Sequence, residues 1–218
     1  MSKQVLVIGL GQFGISLVRS LSHMDVEVIA VDKSKEKVRA ATELAASVSC
    51  IDATDESQLG ALAPARRDVC ICAIGDESRE ASIICTALLR QLGARRVLAR
   101  ATDPLHARIL GLIGAHEVVN PDSIVGQRVA MRVTYDGVRD ELTLAGQLVV
   151  TDVVAPSSCV GHALASLDLP RRHELTVAAI RRGEEVILPH GDTKVQEGDA
   201  MVLVSRPGKV SEFLEKVS

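Results

Sequence analysis

The chain has 218 residues with no Trp, one Tyr and two Phe against 47% hydrophobic residues, so its interior must be aliphatic. Three rings, Phe13, Tyr135 and Phe213, cannot build the stacking platform of a single-strand nucleic-acid binder. A net charge of −3, from 25 basic and 28 acidic side chains, argues against a general duplex binder, whose affinity rests on clustered Lys and Arg; no nucleic acid is expected as a partner.

Along the first 134 residues, short runs rich in Val and Ile recur: Val5 to Ile8, Val26 to Val31, Val48 to Ile51, Val69 to Ile74, Val97 to Ala99 and Glu117 to Val119. Strands apolar on both faces belong to parallel sheets covered by helices on each side. Between the runs, Leu17, Val18 and Leu21, and later Ile83, Ile84, Ala87 and Leu88, place apolar residues on single helical stripes. A further helix is predicted from Asp122 to Val133, with Ile124, Val125, Val129, Ala130 and Val133 on one face that must pack against something. Strand and helix in alternation predict a Rossmann-like, doubly wound α/β domain over residues 1–134.

Beyond it the pattern changes. Residues 135–141, from Tyr135 to Glu141, are polar and turn-like and read as a connection. Val149 to Val154, Thr176 to Ile180, Glu185 to Ile187 and Met201 to Val204 read as strands separated by Gly and Pro signals. Ser157 to Leu167 reads as one short helix and Gly208 to Val217 as a terminal one, giving a second, smaller α+β domain over residues 142–218. No run approaches the about 18 apolar residues of a membrane span, and the start shows no signal-peptide layout, so a cytosolic location is expected. Five cysteines, Cys50, Cys70, Cys72, Cys85 and Cys159, sit mostly in apolar runs and are expected to be reduced core residues rather than metal ligands.

The sharpest chemical signal is Gly9-Leu-Gly11-Gln12-Phe13-Gly14, directly after the first strand and opening a helix. In that context the first glycine permits the tight turn, the second lets backbone approach a pyrophosphate, and the third lets helix and strand pack closely. The helix N-terminus then presents N–H groups and a positive dipole end to phosphates. Asp32, followed by Lys33, ends the next aliphatic run 23 residues after Gly9, where a carboxylate accepts from an adenosine ribose and repels a 2′-phosphate. Further strand ends carry Asp52-Ala53-Thr54-Asp55 and Ala73-Ile74-Gly75-Asp76-Glu77, and ligands of open α/β sheets sit beyond such ends. Thr54 or Asp55 reads equally as a helix cap. Arg100 closes the fifth run as a phosphate partner.

A nucleotide-binding half invites the reading of an NAD-dependent oxidoreductase, the alternative function. The short-chain type needs Tyr and Lys four apart, but Tyr135 is the single tyrosine, position 139 is Arg, and no lysine occurs between Lys37 and Lys194. His23, His106 and His116 have no evident acidic partner, so no catalytic residue is assigned and a non-enzymatic sensor is expected.

Val5-Leu-Val-Ile-Gly-Leu-Gly-Gln-Phe-Gly14, Asp32, the Asp52 to Asp55 loop, Ala73-Ile-Gly75 and the stretch from Ile113 to Asp122 together resemble the N-terminal RCK (regulator of potassium conductance) domain, and residues from about 140 to 218 resemble its C-terminal partner. The chain thus looks like the cytosolic regulatory subunits of bacterial Trk/Ktr potassium uptake systems. The resemblance implies homodimers assembling to an octameric ring beneath a membrane-embedded potassium-translocating subunit, gated by ATP, ADP or NAD(H) in the Rossmann crevice. Gly9, Gly11 and Gly14 would wrap the phosphates, Asp32 the ribose, Asp52, Ala53 and Thr54 the adenine, and Ala73 to Glu77 would close the other side. Ktr-type relatives often carry Arg after the second glycine, reaching the terminal phosphate of ATP in a neighbouring subunit. Gln12 supplies no such charge, which shifts the expectation from ATP toward NAD(H). Asp122 stands where relatives place an acid near a nucleotide-linked cation, and is expected here as a helix cap. In some relatives the C-terminal module binds cyclic di-AMP; Pro170-Arg171-Arg172 offers charge for such a ligand.

Overall fold

A computed structural model describes residues 2–75, 78–144 and 147–217. The chain divides into two compact units, Met1–Ser123 and Ile124–Ser218.

In the first unit, β1 (Lys3–Ile8), β2 (Val26–Asp32), β3 (Ser47–Cys50), β4 (Val69–Cys72), β5 (Val97–Arg100) and β6 (Glu117–Val119) form a parallel sheet in the order β3-β2-β1-β4-β5-β6. The helices are α1 (Gln12–Ser22), α2 (Lys35–Ala41), α3 (Glu56–Ala61), α4 (Arg79–Gln91) and α5 (Pro104–Leu112). Side chains alternate across a strand, and here both alternating sets are buried. Leu6, Ile8, Ile29, Val31, Cys70 and Cys72 join Leu59, Cys85, Leu89 and Leu110 of α3, α4 and α5 in one cluster. Val5, Val7, Val28, Ala30, Val69 and Ile71 join Val18 of α1 and Ala41 of α2 in the other. That division of helices between the faces is the doubly wound fold. Truncating a residue such as Leu6 to Ala would cost about 2–5 kcal/mol from lost burial and the cavity left behind.

The helices start on local polar signals. Asp55 accepts from the amides of Ser57 and Gln58 at 2.9 and 3.2 Å, and the Ser57 hydroxyl first among its partners holds its carboxyl down to about 2. Asp55 is therefore the cap of α3, whereas Thr54 is not. Ser34 caps α2, Ser78 caps α4 and Asp103 caps α5.

The second unit begins within α6 (Pro121–Thr134) and contains β7 (Val138–Leu144), β8 (Leu148–Val154), β9 (Thr176–Arg182), β10 (Glu185–Ile187) and β11 (Ala200–Ser205), an antiparallel sheet in the order β10-β9-β11-β8-β7. Helices α7 (Leu164–Leu167), α8 (Leu169–His173) and α9 (Lys209–Val217) complete it, around a core that includes Val153, Leu175, Ile180, Met201, Leu203 and Phe213. Phe213 meets His173 edge to face at 4.9 Å between centroids. Asp199 is fully buried and accepts two bonds from Arg182, both 2.9 Å, and one from the Gln196 amide at 2.8 Å; the guanidinium holds its carboxyl below the usual range.

Three local expectations are corrected. The polar run 135–141 is not wholly a connection, because β7 starts at Val138; as an edge strand with mostly exposed side chains it has no need of apolar residues. Ser157 to Leu167 is not one helix. A 3₁₀ turn at Ser157–Cys159 ends before Gly161, whose φ of +82° breaks helical continuity, and Ala163 then bridges to Lys194. Asp122 does not cap α6, since Asn120 Oδ1 takes the Ser123 amide at 3.0 Å. The apolar face of α6 is exposed in the single chain, at 47% for Ile124 and 78% for Val133, and no residue of this helix is buried. All five cysteines are free, and four are buried.

Candidate functional site

At the carboxyl ends of β1 to β5 lies a cavity of about 580 Å³, within the range of small-molecule and cofactor sites. Its floor is the glycine loop. Gly9 has a φ of +94° and packs so closely under β4 that a Cβ would come 2.9 Å from the Ile74 amide nitrogen. A Cβ on Gly14 would overlap the Gly9 carbonyl oxygen, so the third glycine holds α1 against the turn. Gly11 is different. It is the N-cap residue of α1, and a Cβ there would meet no atom within 4 Å, because it faces the open cavity. No side chain caps α1, which leaves its first amides directed to that space.

Asp32 ties this loop to β2. Its Oδ2 accepts the buried Leu10 amide at 2.7 Å and its Oδ1 the Ser34 amide at 2.8 Å, while Gly9 donates to the Val31 carbonyl at 2.8 Å. Asp32 is 9% exposed and lines the cavity, and its carboxylate keeps a second lone pair on each oxygen for a hydroxyl donor. It is not the α2 cap; Ser34 serves there. On the same side, Asp52 accepts the Thr54 hydroxyl at 2.7 Å and amide at 2.9 Å, and these bonds hold its carboxyl below the usual range.

The opposite wall is Ala73, Ile74 and Gly75, with Arg100 behind them. The Arg100 side chain is only 12% exposed; its guanidinium lies 5.7 Å from the centroid of the Phe13 ring and fills the space that a Cβ on Gly75 would take. Its Nη2 donates to Asp122 Oδ2 at 3.1 Å.

The structure thus brings Gly9, Gly11, Gln12, Asp32, Lys33, Asp52, Ala53, Thr54, Ala73, Ile74, Gly75 and Arg100 to one cavity. Phe13 and Gly14 do not line it: Gly14 packs beneath Gly9, and Phe13 packs on the core under α1 and against Arg100. Asp76 and Glu77 lie outside the described residues. Sequence reading missed Lys37 on α2 and Ser78, Glu80, Ala81 and Ile84 at the start of α4. The signal was available for α4, since a helix that follows a strand end in this fold presents its first turn to the crevice.

No described lining residue is His, Cys or Tyr. His116 Nδ1 accepts the Val97 amide at 2.9 Å and His106 Nδ1 lies 3.3 Å from the Thr102 amide, both away from the cavity, so each works within the fold. Among the described residues, no cluster of three or more His, Cys, Asp or Glu could hold a metal ion, and no helix is long and apolar enough to cross a membrane.

A doubly wound α/β unit with a glycine-loop crevice, joined to an antiparallel α+β unit, is the two-part RCK architecture. The TrkA-N domain family matches residues 5–121 and the TrkA-C domain family residues 149–218. The chain belongs to this TrkA-N/TrkA-C family. Over 218 residues it is 34% identical to Ktr system potassium uptake protein C of Bacillus subtilis, covering 100% of this chain and 98% of that protein. It is 30% identical over 216 residues to Ktr system potassium uptake protein A of Vibrio alginolyticus, covering 99% and 98%. The GsuK RCK domain has the same fold, with a TM-score of 0.69 at 17% identity over 100% of this chain; so does the GsuK channel bound to NAD, at 0.68, 18% and 98%. This chain spans 48% and 39% of those two solved chains.

Proposed function

We propose that the chain is the regulatory, non-enzymatic subunit of a potassium uptake system. It senses an adenine nucleotide, NAD(H) or ATP/ADP, in the cavity of its first unit. Its place is at the inner face of the cell membrane, held there by a membrane-embedded potassium-translocating partner. Assembly as homodimers into an octameric ring would let occupancy of each cavity bias one shared conformation.

The observation that carries this reading is the cavity over Gly11 and Asp32, in a chain that matches potassium uptake proteins along 98% of their length. Gly9, Gly11 and the start of α1 would receive the phosphates, Asp32 the ribose hydroxyls, and Asp52 to Thr54 the base. Gln12 and Arg100 would border the phosphate side and Lys33 the ribose side. Recognition without a general acid, base or nucleophile of the His, Cys or Tyr type supports binding rather than turnover. In the second unit, a smaller cavity of about 290 Å³ is lined by Asp168, Pro170 and His190; cyclic di-AMP is the ligand that the family resemblance implies for this unit.

Calorimetric titration of the purified protein with ATP, ADP, NAD, NADH and NADP tests the reading. Binding of at least one of the first four is expected, with NADP weaker than NAD by tenfold or more because Asp32 faces the 2′ position. Heat-silent titrations with all five, supported by equilibrium dialysis, would overturn it.

A further inference from the structure

Arg100 has two roles that pull against each other. Its guanidinium borders the cavity, and the same group donates to Asp122 Oδ2 at 3.1 Å. Arg100 is nearly buried, with Phe13 and Gly75 fixing it from two sides, while Asp122 is 72% exposed in the first turn of α6. The cation is therefore held by the fold and the acid is not. The division between the two units falls at Ser123, the residue after Asp122, so α6 is the chain's single covalent path from the cavity-bearing unit to the other.

We propose that Asp122 sets the affinity of the cavity for anionic ligands by competing with them for Arg100. Bound phosphate and the hold of Arg100 on the start of α6 thereby oppose one another. The inference rests on the nucleotide reading of the cavity. A phosphate oxygen drawing on the guanidinium weakens its bond to Asp122, and the Asp122 charge in turn repels the phosphate and neutralises its partner cation. Because such coupling is reciprocal, whatever factor Asp122 removes from ligand affinity, the ligand removes from the Arg100–Asp122 bond. Occupancy is thus converted into a change at the first turn of α6 without any group leaving the cavity wall.

The test uses ADP as probe on the full chain. Asp122→Asn removes the charge from an exposed position and is expected to raise ADP affinity about tenfold, near the lower end of usual coupling factors. Asp122→Glu, which keeps the charge, should stay within about threefold of the unaltered protein. In an Arg100→Gln background, Asp122→Asn should change affinity less than about twofold, since the shared partner is gone. Hydrogen exchange at the start of α6 should quicken when ADP is added to the unaltered chain. An unchanged or lowered affinity for Asp122→Asn, or an equal rise for Asp122→Glu, would overturn the inference while leaving nucleotide binding intact. If the unaltered chain binds no adenine nucleotide, the nucleotide reading fails first and the competition falls with it.

Discussion

Gly11→Ala is expected to weaken nucleotide binding about 100-fold in a protein that keeps its stability, and Gly14→Ala to destabilise the first unit. The two glycines are three residues apart in one loop, but their surroundings differ. At Gly11 a methyl group meets no atom within 4 Å, and the φ of −67° and ψ of −173° suit any residue. Losing Gly as N-cap costs the fold at most about 1 kcal/mol. The methyl would instead occupy the space through which a pyrophosphate must approach the backbone. A close contact overfilled in this way costs roughly 3 kcal/mol, which is about 100-fold in affinity. At Gly14 the methyl collides with the Gly9 carbonyl oxygen, a backbone atom that cannot turn aside. Separating α1 from β1 should cost at least about 3 kcal/mol, and thermal unfolding should come roughly 6–12 °C earlier. Melting curves and ADP or NAD titrations of the two variants check both halves. Equal loss of stability in the two would show that the open space at Gly11 has another explanation.

Asp32→Ala should lower both stability and affinity, and the reason lies in its double engagement. The carboxylate accepts the Leu10 amide of the glycine loop and the Ser34 amide ahead of α2. Its loss strands the buried Leu10 donor at about 1–3 kcal/mol and loosens the loop that Gly9 and Gly11 belong to. With Asp32 as the proposed ribose partner, its loss should also weaken NAD or ADP binding at least about 100-fold, two charge-assisted bonds being worth roughly that much. NADP should lose less, because the charge repelling its 2′-phosphate is also gone, and the NAD-to-NADP preference should shrink about tenfold or more. Titration of both dinucleotides against the variant gives the answer. A preserved preference would remove Asp32 from the ribose.

How legible this was in the sequence follows from what each element depends on. The central strands announce themselves because both faces of Val5 to Ile8 and Val69 to Cys72 are buried, so every position must be apolar. The glycine loop was readable because its turn, its close packing and its open face each demand glycine for a separate local reason. Strand β7 was hidden by the same logic reversed: at a sheet edge, most of its side chains face water, and Val138 alone of its apolar residues is buried, so no unbroken apolar run marks it. Phe13 lies within the motif yet packs, partly buried, against the aliphatic core, a placement that loop spacing cannot reveal. Lys37, Glu80 and Ile84 reach the cavity only because α2 and α4 start where β2 and β4 end. The Arg100–Asp122 pair spans two elements and needed the fold to bring it together.

The central claim is that the occupied cavity controls potassium uptake. The direct measurement is rubidium uptake by cells lacking their own copy of this chain, restored with either the unaltered protein or Gly11→Ala at matched abundance. The account predicts nucleotide-responsive uptake with the unaltered chain and loss of that response with Gly11→Ala, although the variant is folded. Full, nucleotide-responsive uptake with a Gly11→Ala protein whose nucleotide affinity has fallen about 100-fold in titration would contradict it.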